Sequence, residues 1–134
     1  MRVLINIDIP ELEAAIAFYE AAVGLSLSRV LDSDVAELTG ASSVVYLLKK
    51  DAGSVASFGA DITRSFARHW TPVHVDFVVE NVEAAAARAV QAGAVRESAC
   101  VQWRGSKCIT LSDPFGNGFC FIEFSEGTYR AGAA

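Results

Sequence analysis

The chain has 134 residues, enough for one ordinary domain or two very small ones. With 52% hydrophobic and 20% charged residues it is neither disordered nor short of core, and its apolar runs of only a few residues exclude a membrane-spanning helix. A net charge of −5, with no basic cluster beyond Lys49-Lys50, excludes the cationic stripe that nucleic acid or an anionic membrane requires.

In chain order, the segment from Leu4 to Ile9 reads as a strand that starts without a secretory signal pattern. Leu12, Ile16, Tyr19 and Val23 then fall at helical spacing, and Gly24 ends that helix. Phe18 and Tyr19 are core residues of it. Ser26–Leu31, Val35–Leu38 and Val44–Leu48 read as three extended stretches. Residues 52–69 form a connector, long for a structureless loop and carrying the aromatics Phe58 and Phe66.

A second strand over Val73–Glu80 has Val73, Val75, Phe77 and Val79 on one face and His74 and Asp76 on the other. Asn81 caps the next helix, Val82, Ala86 and Ala89 form its stripe, and Gly93 ends it. Val95–Val101, Lys107–Ser112 and Gly118–Phe124 are the last three strands, the final pair joined by the turn chemistry of Asp113-Pro-Phe-Gly-Asn117. The two halves repeat: Leu4–Tyr19 set above His74–Ala89 matches Glu13, Ala14, Ala15 and Ala17 to Glu83, Ala84, Ala85 and Ala87, with the same switch of period from two to 3.6. The reading is therefore α+β. Two tandem βαβββ modules, about 1–51 and 70–124, make one domain over 1–134, with a curved mixed sheet around a cleft.

Leu12-Glu-Ala-Ala-Ile-Ala-Phe-Tyr-Glu to Gly24-Leu25, His74-Val-Asp-Phe-Val-Val-Glu-Asn-Val-Glu and Asp113-Pro-Phe-Gly-Asn-Gly-Phe-Cys carry a resemblance. In these segments and in its duplication the chain resembles the vicinal oxygen chelate superfamily of glyoxalase I, bleomycin-resistance proteins and extradiol dioxygenases. In metal-using members the resemblance places ligands early in the first strand and midway along the last strand of each module. Carried onto this chain, those positions are Leu4, Tyr46, His74 and Cys120. Leu4 has no donor atom, Tyr46 is a poor ligand for a divalent ion, and Cys120 stands where a glutamate is usual. A catalytic metal wants at least three protein ligands and an open position. No metal and no other cofactor is therefore expected, a divalent metal being the alternative.

His74, Tyr46, Trp70, Trp103, Arg104, Phe115 and Cys120 are the candidate ligand-binding residues, with Phe115 placed to overhang a cleft mouth. Trp70 and Trp103 offer flat rings on irregular segments, either for stacking or for edge packing at a dimer contact. Catalytic residues are not identified beyond His74 and Asp76 as a candidate acid/base pair. Glu123 has the parity of Phe119 and Phe121 and points away from the cleft. Cys100, Cys108 and Cys120 are odd in number and form no C-x-x-C pair, so they read as reduced thiols of a cytoplasmic protein.

The expected function is a metal-free, small-molecule-binding protein resembling drug-sequestering bleomycin-resistance proteins. The alternatives are a lyase, isomerase or oxygenase of the glyoxalase or dioxygenase type, and a protein-interaction module on the same fold. The expected partners are a small-molecule ligand and a second copy of the chain in a homodimer, with no nucleic acid and no membrane.

Overall fold

The computed structural model describes residues 1–59 and 61–132. Its elements run β1 (Ile5–Ile9), α1 (Leu12–Val23), β2 (Ser26–Leu31), β3 (Val35–Thr39), β4 (Val45–Lys49), β5 (Val75–Val78), α2 (Val82–Gln91), β6 (Val95–Arg96), β7 (Val101–Trp103), β8 (Ser106–Ser112) and β9 (Gly118–Phe124). The chain falls into two compact units, Met1–Ala67 and Arg68–Ala134. Each carries a mixed sheet and one helix, four strands in the first and five in the second, as the α+β reading expects.

In the first unit the strand order is β1-β4-β3-β2, with β1 and β4 parallel and the other pairs antiparallel. Parallel pairing needs a long crossover, and α1 supplies its first part. Period-2 alternation sends Ala36, Leu38, Val45 and Leu47 to the helix side, where each is 0% exposed. The helix answers with Ala15, Phe18, Tyr19 and Ala22. Its apolar stripe thus lies a little to one side of the expected one, leaving Leu12, Ile16 and Val23 half-buried at its flanks. Gly24 adopts the left-handed φ of 86° and donates its N–H to the Glu20 carbonyl, closing the helix. Part of the connector packs on this unit: Val55 bridges Thr63, and Arg64 donates to the Asp8 carboxylate at 2.7 Å.

The second unit repeats the plan, with order β5-β9-β8-β6 and β7 also on β8. The repeat spacing holds at both starts: β5 begins at 75 against 5 for β1, and α2 at 82 against 12 for α1. Asn81 accepts the Ala84 N–H as the expected cap. Phe77, Phe119 and Phe121 pack edge to face on the helix side, and the Glu123 carboxylate accepts the Val82 N–H at the helix start. Glu123 therefore points to the helix, as its parity requires.

Two expectations change. The strand expected over Val95–Val101 is broken into β6 and β7, because the Ser98 hydroxyl takes the Thr110 N–H that a ladder carbonyl would have accepted. The strand expected from Val73 begins at Val75, and Val73 is 85% exposed. Ahead of Val75 the Thr71 hydroxyl donates to the Val73 carbonyl.

Candidate site on the open face of the second sheet

The ladders decide which residues of the two modules correspond. In the second, Asp76 stands opposite Cys120, and in the first Asn6 stands opposite Tyr46. Tyr46 thus holds in β4 the place that Cys120 holds in β9. Leu4 and His74 each lie one residue before their strand.

On the face away from α1, the Tyr46 hydroxyl donates to Glu37 at 2.8 Å. Glu37 also takes two hydrogen bonds from Arg29, at 3.1 and 3.2 Å. The guanidinium and then the phenol hold the Glu37 carboxyl below its usual range, while the tyrosine is raised in turn by the carboxylate it serves. This face is a closed set of polar partners. Leu4 is 45% exposed and offers no donor atom.

The matching face of the second sheet is different. His74 Nε2 lies 3.1 Å from Asp76 Oδ1, and one ligand atom from each of His74, Asp76 and Cys120 lies within 4.8 Å of the others. Thr110, paired with Cys120 in the ladder, brings its hydroxyl to 3.5 Å from the sulfur. Cys108 has the same parity on β8 and interacts with Cys120. Burial and then the neighbouring thiol push Cys108 up to about 12, and burial raises Cys120 as well. Both are protonated thiols at neutral pH and poor nucleophiles.

Trp70 closes one end. Its ring sits 4.7 Å from the His74 ring, under the Arg68 guanidinium at 5.5 Å, and against the backbone of Gly118. Arg68 is fixed by a bidentate pair with Glu97, and the His69 N–H donates to the Gly116 carbonyl. At the other end Trp103 packs on Tyr129 at 5.0 Å and carries Arg104 over its ring at 5.4 Å. Phe115 is only 8% exposed in the turn after β8, where Asp113 accepts its N–H, so it presents little face to a ligand. Sequence reasoning passed over Thr110 and Cys108, although their parity with Cys120 was available. It also missed Tyr129, which lies beyond the last strand where no periodicity marks it.

The two family positions of the first module do not fit a divalent metal. Of the four family positions, Leu4 has no donor and the Tyr46 hydroxyl is given to Glu37. His74, Asp76 and Cys120 are the three donors that remain, one ligand atom from each lying within 4.8 Å of the others, close enough to hold a metal ion.

A glyoxalase-like domain model matches residues 4–122. The chain belongs to the glyoxalase-like domain family. No curated protein matches the sequence significantly. Solved structures agree in fold. A glyoxalase/bleomycin resistance protein/dioxygenase family enzyme from Burkholderia phytofirmans PsJN has a TM-score of 0.70 at 20% identity, over 90% of this chain and 95% of that one. A fosfomycin resistance protein from Listeria monocytogenes reaches 0.70 at 15%, over 93% of each chain. Lactoylglutathione lyase from Agrobacterium tumefaciens reaches 0.66 at 18%, over 97% of this chain and 98% of that one. At such identities the likeness is one of fold and carries no activity across.

Proposed function

We propose that this glyoxalase-like protein binds a small organic molecule on the open face of its second sheet without using a metal. The observation that carries the reading is the pair of ladder positions: where the family fold can place metal ligands, the first module has Leu4 and a Tyr46 whose hydroxyl already serves Glu37. A binding site needs mostly apolar walls and a few placed polar groups. His74, Asp76, Cys120 and Thr110 give polar groups, with Trp70, Trp103 and Tyr129 as walls. We place the protein in the cytoplasm as a homodimer whose two modules serve as one domain. Its free cysteines support a reducing compartment, and the single family match across both modules supports the joint domain.

The test is a thermal-shift screen of cationic and aromatic antibiotics and of glutathione thioethers against the metal-stripped protein. A ligand at a hundredfold excess over its Kd stabilises by about 2.7 kcal/mol. Stabilisation that survives chelator supports the reading, and stabilisation that appears only with added metal overturns it. A second reading, an enzyme of the lyase, isomerase or oxygenase kind, is favoured by the 3.1 Å approach of His74 to Asp76, a pair able to take and return a proton. Turnover of a bound ligand that His74→Ala abolishes would establish it.

A further inference from the structure

We infer that the site on the second sheet is closed by the chain's own C-terminal strap, Ser125–Gly132, with Tyr129 as its capping residue, and that a ligand enters by displacing it. The inference rests on the proposed site but concerns access to it. The face away from α2 ought to be exposed, yet Cys120 and Ile122 on it are 5% and 3% exposed. A sheet face turned from its helix is buried only where something lies on it. Tyr129 packs on Phe124 at 4.8 Å and on Trp103 at 5.0 Å, and its phenol interacts electrostatically with Asp76, Cys108 and Cys120. It is still 41% exposed, so it caps the trough without being locked into the core.

The strap's backbone is hydrogen-bonded to the two-residue turn between β7 and β8. The Ser125 N–H donates to the Gly105 carbonyl at 2.9 Å, and the Arg130 N–H to the Arg104 carbonyl at 2.8 Å. The Arg104 guanidinium donates to the carbonyls of Arg130, Ala131 and Gly132 at 3.1, 2.8 and 2.8 Å. Arg104 does this from a left-handed φ of 47°, a conformation that favours glycine or asparagine at this turn position. An arginine kept there at a cost of about 1 kcal/mol is explained by what its side chain holds. Gly105 is equally committed: a Cβ on it would come within 2.9 Å of the Ser125 hydroxyl and 3.0 Å of Arg130 Nε. The strap is thus a latch of exposed polar bonds over a buried floor, the kind of segment that opens at low free energy.

The experiment reads access to the floor directly, with N-ethylmaleimide as the probe and peptide mass spectrometry to resolve each cysteine. Labelling of Cys108 and Cys120 is followed against Cys100 in the unaltered chain, in Arg104→Ala, in Tyr129→Ala and in a chain ending at Glu126. Circular dichroism checks the fold of each. The strap predicts labelling of Cys108 and Cys120 at least tenfold faster in the folded variants. Rates within twofold of the unaltered chain in both point variants overturn it. The two proposals fail separately: a chain that binds nothing in the screen but shows the tenfold change keeps the strap, and one that binds with unchanged labelling keeps only the site.

Discussion

The two modules are one plan carried out twice, and they differ where chemistry would sit. Opposite the first residues of the sheet, the first module pairs Asn6 with Tyr46 and ties the phenol into an Arg29–Glu37 pair. The second pairs Asp76 with Cys120 and sets His74 beside them. The helix-facing sides are alike, apolar and closed. The lesson is that a duplicated ladder keeps its packing positions against the helix while the faces turned from the helices diverge, since the sheet forms without a fixed set of side chains there.

The sharpest way to break that comparison is at the shared core position. Leu47 and Phe121 hold the same place in β4 and β9, both 0% exposed. Leu47→Ala should cost about 2–5 kcal/mol and Phe121→Ala about 3–5, both read by urea denaturation. A small loss in either would mean that its module does not share the plan.

Next comes a position where the modules part. Gly118 corresponds to Val44, and a Cβ on Gly118 would lie under 3.0 Å from the Trp70 ring. Gly118→Ala should cost about 1–3 kcal/mol and shift the tryptophan emission as Trp70 is pushed out. Val44→Ala, at a half-buried site, should cost no more than about 1.5 kcal/mol and leave emission alone.

A smaller effect separates the open faces. For any hit from the screen, His74→Ala should weaken binding at least tenfold, about 1.4 kcal/mol, measured by isothermal titration. Leu4→Ala should change it less than twofold. Equal losses would put the site on both modules.

The smallest effect is shared. Arg29 and Tyr46 lower the Glu37 pKa, and Arg68 lowers that of Glu97. A carboxyl depressed in the folded state contributes stability that is present above its unfolded pKa and lost as pH falls through the folded one. Thermal midpoints should therefore fall on acidification through and below the ordinary glutamate range. Glu37→Gln and Glu97→Gln should each flatten that fall slightly, since both pairs are partly exposed.

Most of the fold was legible because it rests on short-range periodicity. The Val75–Phe77 alternation, the Asn81 cap and the Asp113–Asn117 turn each announce themselves within a few residues. The break between β6 and β7 was not legible, because it depends on Ser98 reaching Thr110 from another strand. The site was legible by position but not by content. His74, Asp76 and Cys120 lay on one face by parity, whereas the fastening of Trp70 by Arg68 and Gly118, and the return of Tyr129 over the sheet, are tertiary contacts without a local pattern.

The central claim is that this member of the family binds its ligand without a metal. The most direct test is metal content per chain, by inductively coupled plasma mass spectrometry, after purification without chelator and again after incubation with zinc, nickel, iron and manganese. The account predicts well under one tenth of an equivalent of any of them after buffer exchange. One equivalent retained per chain, and lost in His74→Ala, would contradict it.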